Sequence, residues 1–428
     1  MSEMSKNTYA EAAQKIDDLF ASRENRTYII KNATRVDARG IVPNAWIVVV
    51  DGVIQQTGFR DTDLTSFISS IGLESKVSST KSISVIDANR DFLTPGYIDV
   101  HAHGAWEHSF DDGIDGIRVA RAYHLLHGTT RQVLSLITNP LDVMQENLRN
   151  VKQIMSNRPD ILGSHLEGPF LALSRKGAHD PKCLVDPTPE RVEGLLEAAD
   201  GSLRQITLAP ERQHGIEAIK RFVAAGVIPA VGHCDADYDL ARDAFNNGAT
   251  LMTHVFNAMN GIHHREPGPI PAALEDSRVT IELINDGFHV DNPVLRMIIG
   301  AARHRIAFVT DAMAATGCAD GAYKLGALDV TVKDGHARLV SNGAIAGSTL
   351  ILEVAVMRAV RELGVGLPEA IEAATLTPAK AFGFDKPNAV TGNPLGLVEK
   401  GYCADVLLLD AGDLAVKHVW CDGRAISN

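Results

Sequence analysis

Eight short apolar runs, most of them closing on a polar residue, constrain the fold of this chain more than any other feature. The runs are 97–101, 130–138, Ile161–Glu167, 205–209, 227–233, 250–254, 280–286 and 306–311. Helical periodicity intervenes at 190–200, 215–225, 238–247 and 292–303. Eight such alternations predict an α/β chain built on a (β/α)8 TIM barrel. In that fold the C-terminal strand ends build the functional face. Here those ends carry His101 and His103, Glu167, His233, His254 and Asp311. Scattered histidines and carboxylates would not fall so consistently at one end.

A strand points alternate side chains to one face, so His101 and His103 project together from the end of the first run. Taken singly, each histidine reads as an ordinary hydrogen-bonded residue. Taken jointly, with Glu167, His233, His254 and Asp311, they read as a site for one or two divalent metal ions. Imidazole nitrogens and carboxylate oxygens suit Zn2+, and equally Fe2+, Co2+ or Mn2+; spacing does not choose among them.

The two ends of the chain differ from the middle. Residues 27–58 alternate in strand fashion around Asp51-Gly52, a strong hairpin signal, and 404–425 repeats the pattern around Asp422-Gly423. The most economical arrangement is a small β-sandwich made from both ends, with the barrel inserted between them. The expected divisions are a helical extension at 1–25, sandwich at 26–93, barrel at 94–380 and sandwich again at 381–428. Within the extension, 7–22 reads as an amphipathic helix with Tyr9, Ala13, Ile16 and Phe20 on one side. It is expected to pack on the domain surface or at a subunit contact.

A net charge of −12 argues against nucleic acid or an anionic membrane as the main partner. No stretch approaches the ~20 apolar residues that span a bilayer, and the N-terminus lacks the pattern of a secretory signal. Cys183, Cys234, Cys318, Cys403 and Cys421 are odd in number and far apart, which fits a reducing cytoplasm. Cys234 follows His233, points away from it by strand alternation, and reads as packing.

Longer motifs carry a family resemblance. They are 95–104 around the histidine pair, His165-Leu166-Glu167-Gly168-Pro169-Phe170, and Lys176-Gly177-Ala178-His179. Further along stand Gly232-His233, 253–259 running into Arg265-Glu266-Pro267-Gly268, Asp286-Gly287-Phe288-His289, 309–312 and Ala346-Gly347-Ser348. Over roughly 26–428 the chain resembles the amidohydrolase superfamily, and within it the N-acetylglucosamine-6-phosphate deacetylases. The resemblance implies hydrolysis of an N-acetylated amino-sugar phosphate, here N-acetylglucosamine 6-phosphate, with N-acetylgalactosamine 6-phosphate as the alternative. It implies that Glu167, His233 and His254 hold the principal metal, and that His101 and His103, with Glu167 and Asp311, form a second site.

By the same resemblance, Asp311 takes a proton from the attacking water and passes it to the leaving amine. His179 donates to the carbonyl oxygen or the sugar as charge develops. Ala178, Asn257, Ala258, Asp286, His289 and the backbone of Ile345, Ala346 and Gly347 line the sugar-phosphate pocket. Arg265 is expected to reach the phosphate bound by a neighbouring subunit, which implies a homodimer.

One segment departs from the family pattern. After the histidine pair the family continues with glycine-rich sequence, whereas this chain has Trp106-Glu107. The indole and carboxylate either reshape the sugar subsite or pack beneath the sandwich. Among competing activities, ring-opening amidohydrolases bridge their metals with a carboxylated lysine after the fourth strand. That run here ends Leu208-Ala209-Pro210-Glu211, with no lysine. A non-catalytic sugar-phosphate binder on the same scaffold would have lost its acid/base, yet Asp311 is present.

Overall fold

The computed structural model describes residues 6–22, 26–71 and 83–426. Eight parallel strands run in the order β6 (Tyr97–Asp99), β9 (Thr129–Ile137), β10 (Ile161–Glu167), β11 (Leu203–Leu208), β12 (Ile228–Val231), β13 (Leu251–Met252), β14 (Thr280–Ile284) and β15 (Ile306–Val309). Every expected run therefore contains a strand, although the sixth shortens to two residues. The circle closes between first and last strands through polar contacts. Asp311 N donates to His101 O at 2.8 Å, and Thr310 Oγ1 donates to the buried Asp99 carboxylate at 2.6 Å.

Barrel strands are buried on both faces, so their side chains are almost uniformly inaccessible; β9 and β10 have no exposed position. Helices cover the outside, among them Pro189–Ala199, Gly215–Ala224, Tyr238–Asn246 and Asn292–Ala301, close to the predicted spans.

Both chain ends meet in a second sheet. It comprises β1 (Tyr28–Asp37), β2 (Gly40–Val50), β3 (Val53–Gly58), β4 (Ser84–Asp87), β5 (Phe92–Pro95), β19 (Val406–Leu409), β20 (Val416–Cys421) and β21 (Arg424–Ile426). Its strands form one continuous hydrogen-bonded sheet in which β5 sits between β1 and β19 and so joins the ends. Both Asp-Gly pairs turn with positive φ at each residue (51° and 82°, 50° and 72°), the conformation of two-residue hairpins.

The helix α1 (Lys6–Ala21) buries the expected stripe of Tyr9, Ala13, Ile16 and Phe20 and lies along the helix Gly113–Leu126. A further element was not anticipated: a meander of β16 (Gly321–Leu325), β17 (Leu328–Lys333) and β18 (His336–Leu339) after the last barrel strand. Its signal was available in a further Asp-Gly, at 334–335, between alternating runs. The hairpin β7 (Gly104–Ala105) and β8 (His108–Ser109) follows the histidine pair directly.

A buried ion pair binds the two sheets. Arg131 on β9 meets Asp405 beside β19, with Nη2 to Oδ1 at 3.0 Å, and Asp405 also accepts from Asp422 N at 2.8 Å. Both side chains are almost fully buried. Asp405→Ala leaves the guanidinium uncompensated, so thermal or urea unfolding is expected to show a loss of about 3–5 kcal/mol. Lys417→Ala, which removes an exposed pair with Asp91, is expected to cost no more than about 1 kcal/mol.

Candidate active site

Glu167, the last residue of β10, stands among five imidazoles. Its Oε1 lies 3.3 Å from His101 Nε2, 3.2 Å from His233 Nε2 and 3.1 Å from His254 Nε2. Its Oε2 lies 3.1 Å from His103 Nε2 and 3.3 Å from His179 Nε2. Asp311 Oδ1 approaches His103 at 3.5 Å and His101 at 3.7 Å. The structure thus brings together every residue expected to bind metal or to act in catalysis. All lie at or just beyond strand ends except His179, which comes from the loop after β10.

Burial alone would raise the Glu167 carboxyl, but the surrounding histidines, His101 foremost, hold it well below the usual carboxylate range. Burial alone would lower His101; Glu167 and Glu282 on its two sides instead raise it well above the ordinary histidine value. Positive charge is therefore strongly favoured at this point. A divalent cation would supply that charge in place of protons.

The tautomers fit the same reading. His233 Nδ1 donates to the backbone oxygen of Arg175 at 2.8 Å, so its Nε2 presents a lone pair. His254 Nε2 lies 3.1 Å from that lone pair, and both face Glu167 Oε1. His101 Nδ1 is committed to Glu282 at 3.0 Å, and its buried Nε2 is left facing Glu167 Oε1 at 3.3 Å. A cation shared among these nitrogens and the Glu167 carboxylate would take the place of the protons that otherwise bridge them. Glu167, His233 and His254 form one donor triangle; His101, His103 and Asp311 form a second cluster beside it.

His165 is not part of this set. Its ring nitrogens bond Ser135 Oγ and Thr207 Oγ1, both at 2.8 Å, and burial lowers it far below the ordinary value, so it is a neutral core residue. Cys234 is fully buried, and burial pushes its thiol up to about 12, as expected of a packing residue.

The cluster floors a cavity of about 380 Å3, a size suited to a small metabolite. Ala178, Asn257, Ala258, His289, Ile345 and Gly347 line it, as expected from the motifs. Asn257 turns its amide back to His254 O at 3.1 Å. Asp286 stands behind the cavity, where its carboxylate bonds His289 Nδ1 at 2.7 Å and accepts from His289 N. It therefore positions His289 and does not line the cavity. Ala346 is fully buried beneath the wall.

Arg265 does not line this cavity; it is exposed and bonds His264 Nε2 at 2.8 Å. Trp106 and Glu107 do not line it either. The indole is buried against α1, not beneath the second sheet, and Glu107 faces solvent.

Other lining residues were not anticipated. Ile137 and Leu325 form an apolar wall, and Leu325 comes from the meander. Arg175 brings a guanidinium to the rim, held by Asp235 at 2.8 Å. Glu282 lies behind His101 and bonds Gln205 Nε2 at 2.6 Å. A lone carboxylate inside the apolar run 280–284 was the signal for it.

Local backbone strain is concentrated here. His233 and Asp311 have φ of 47° and 50°, conformations that cost on the order of 1–3 kcal/mol for such residues. Asp311 is pinned there by its bond to His101 O and by Ser348 N donating to its own carbonyl at 2.7 Å. Gly347 permits that approach, since a Cβ there would lie 2.9 Å from Asp311 O.

Residues 92–426 match the Amidohydrolase family. The chain belongs to that family. It is 35% identical to an N-acetylgalactosamine-6-phosphate deacetylase of Escherichia coli O157:H7, covering 81% of this chain and 90% of that protein. It is 33% identical to an N-acetylglucosamine-6-phosphate deacetylase of Vibrio furnissii, over 78% and 82%. The solved structure of an N-acetyl-D-glucosamine-6-phosphate deacetylase variant from Mycobacterium smegmatis, in complex with N-acetyl-D-glucosamine-6-phosphate, superposes with a TM-score of 0.83 at 34% identity. That match covers 94% of this chain and 100% of the other. The fold is therefore shared with that solved structure across nearly the whole length.

Gly177 adopts φ +53°, and a Cβ there would meet His233 Cε1 at 3.0 Å. Gly177→Ala is expected to displace that imidazole and lower kcat/KM by roughly 10–100-fold without unfolding the barrel, as steady-state kinetics and circular dichroism would show.

Proposed function

We infer that this amidohydrolase hydrolyses the acetamide of N-acetylglucosamine 6-phosphate, releasing acetate and glucosamine 6-phosphate. The observation that carries the reading is the Glu167-centred cluster with Asp311 at the floor of a sugar-sized cavity, in a chain whose relatives are hexosamine-phosphate deacetylases. N-acetylgalactosamine 6-phosphate is the second reading, favoured by the 35% identity to a deacetylase of that sugar.

Glu167, His233 and His254 would hold the principal divalent cation, and His101, His103 and Asp311 a second. Zn2+ suits this donor set, as do Fe2+, Co2+ and Mn2+. When bound, such a cation polarises the acyl oxygen and makes water acidic enough to ionise near neutrality. Asp311 accepts the proton that the attacking water loses and delivers it to the amine nitrogen as the C–N bond breaks. His179 is lowered to about 4 by burial, so it is neutral and donates a hydrogen bond as charge grows on the acyl oxygen. Ile137, Ala178 and Leu325 shield the acyl methyl group, while His289, Asn257 and the Ala258 backbone orient the sugar.

Arg265 serves the phosphate bound by a second copy of the chain, which would account for an exposed guanidinium that does not line its own cavity. The working unit is then a homodimer. Five free cysteines fit a cytoplasmic location, and no helix among the described residues is long and apolar enough to cross a membrane.

Asp311→Asn is expected to lower kcat by at least about 10²-fold while metal analysis shows the ion retained; full activity would refute the proton-transfer role. Arg265→Ala is expected to weaken kcat/KM about 10–100-fold for the phosphorylated sugar and hardly at all for N-acetylglucosamine itself. Mixing Arg265→Ala with Asp311→Asn subunits is expected to restore activity if the arginine acts across the dimer. Comparing both hexosamine 6-phosphates on metal-quantified enzyme decides the sugar.

A further inference from the structure

The departure at Trp106-Glu107 and the helix α1 belong to one device. Trp106 and Glu107 are the two turn residues of the β7–β8 hairpin, in which Ala105 pairs with His108. Both have left-handed backbones, with φ of 50° and 65°. Such turns are normally made by Asn-Gly or Asp-Gly. A large aromatic and a glutamate hold this conformation only where surrounding contacts over-determine it.

Those contacts come from two sides. The indole stacks on the Tyr9 ring of α1 at 4.7 Å and 13°, and the Tyr123 ring lies 5.1 Å from it. The hairpin backbone is laced to the segment after Asp311: Trp106 N donates to Thr316 O at 2.9 Å and Glu107 N to Ala314 O at 2.7 Å. His103 N and Gly104 N both donate to Ala312 O, at 2.7 and 2.9 Å. The same strained hairpin therefore fixes the backbones of His103 and of the residue following Asp311.

The helix is anchored at its far end as well. Asp17 pairs with Arg118 and, at 2.9 Å, with Arg158, and Phe20 lies under the Arg158 and Arg424 guanidiniums. Eight residues separate Tyr9 from Asp17, so the two anchor points lie about 12 Å apart along the helix.

We propose that Tyr9 is a positioning residue for catalysis: its stack on Trp106 holds the strained hairpin that sets His103 and Asp311. The inference rests on the catalytic assignment of Asp311 made above. With the ring removed, the turn relaxes, and the His103–Asp311 geometry loosens at a distance from any substrate contact.

The test uses the full chain. Tyr9→Ala and Tyr9→Leu remove the stack, Leu keeping apolar bulk should Ala fold poorly. Tyr9→Phe keeps the ring and loses the hydroxyl, which bonds Cys318. Ile16→Ala weakens the same helix about two turns beyond Tyr9, away from Trp106. Kinetics on N-acetylglucosamine 6-phosphate are run well below each variant's Tm, with amide hydrogen exchange followed over 104–109.

The expected result is a kcat loss of at least about tenfold in Tyr9→Ala or Tyr9→Leu, with KM within about twofold and faster exchange in the hairpin. Tyr9→Phe and Ile16→Ala are expected to keep kcat within about twofold, whatever their Tm. Unchanged kcat on removing the ring, or an equal loss in Ile16→Ala, overturns the positioning role. Asp311→Asn is the control that separates failures. If it is inactive while Tyr9→Leu is normal, the positioning role alone falls; if it remains active, the catalytic assignment falls and the role with it.

Discussion

One buried carboxylate organises the molecule. Glu167 loses nearly all its hydration, and an isolated charge in such a place would be prohibitively costly. Five imidazoles from β6, β10's following loop, β12 and β13 gather round it to compensate. Those imidazoles are in turn fixed from behind, His101 by Glu282 and His233 by the Arg175 carbonyl. The neutral His165, held between Ser135 and Thr207, packs against His101 from below without adding charge. A site of this kind suits a divalent cation, which would supply in one ion the positive charge that the carboxylate otherwise draws from protonated imidazoles.

The rest of the fold keeps those strand ends in register. Asp99 receives both the hydroxyl and the amide of Thr310, which ties the first strand to the last beside the site. Burial raises the Asp99 carboxyl to about 6 despite those bonds. On the outside, Arg158 and Arg121 clasp Asp160, which they hold down at about 2 against the effect of burial, and Arg121 reaches on to Gln132. Stability from Asp160 is therefore present above the ordinary aspartate range and lost as pH falls through it towards 2. Gln132 meets Asp99 at 3.5 Å, so a chain of polar side chains leads from the Asp17 carboxylate of α1 to the floor of the barrel.

How much of this was legible in the sequence varies with the range of the interaction. The strand at Ile161–Glu167 was readable to the residue, because an apolar run bounded by a glycine-proline signal leaves little freedom. The stripe on α1 was equally readable, since its period is local. Glu282 was passed over, although a carboxylate within an apolar strand marks a partner somewhere in the interior. Asp286 was expected at the substrate and instead supports His289, a distinction of one shell that spacing along the chain does not carry.

The sequence by itself determined the barrel, the joining of both ends in a second sheet, and the set of side chains available to the site. Each of these follows from periodicity, turn chemistry and residue type, which are properties of neighbours along the chain. Only the tertiary structure decided that Trp106 stacks on Tyr9 and stays out of the cavity, that Arg265 does not line its own cavity, and that the meander supplies Leu325 to its wall. Those outcomes depend on which surfaces come together after the barrel closes. Contacts between residues a hundred positions apart leave no periodic trace in the sequence that makes them.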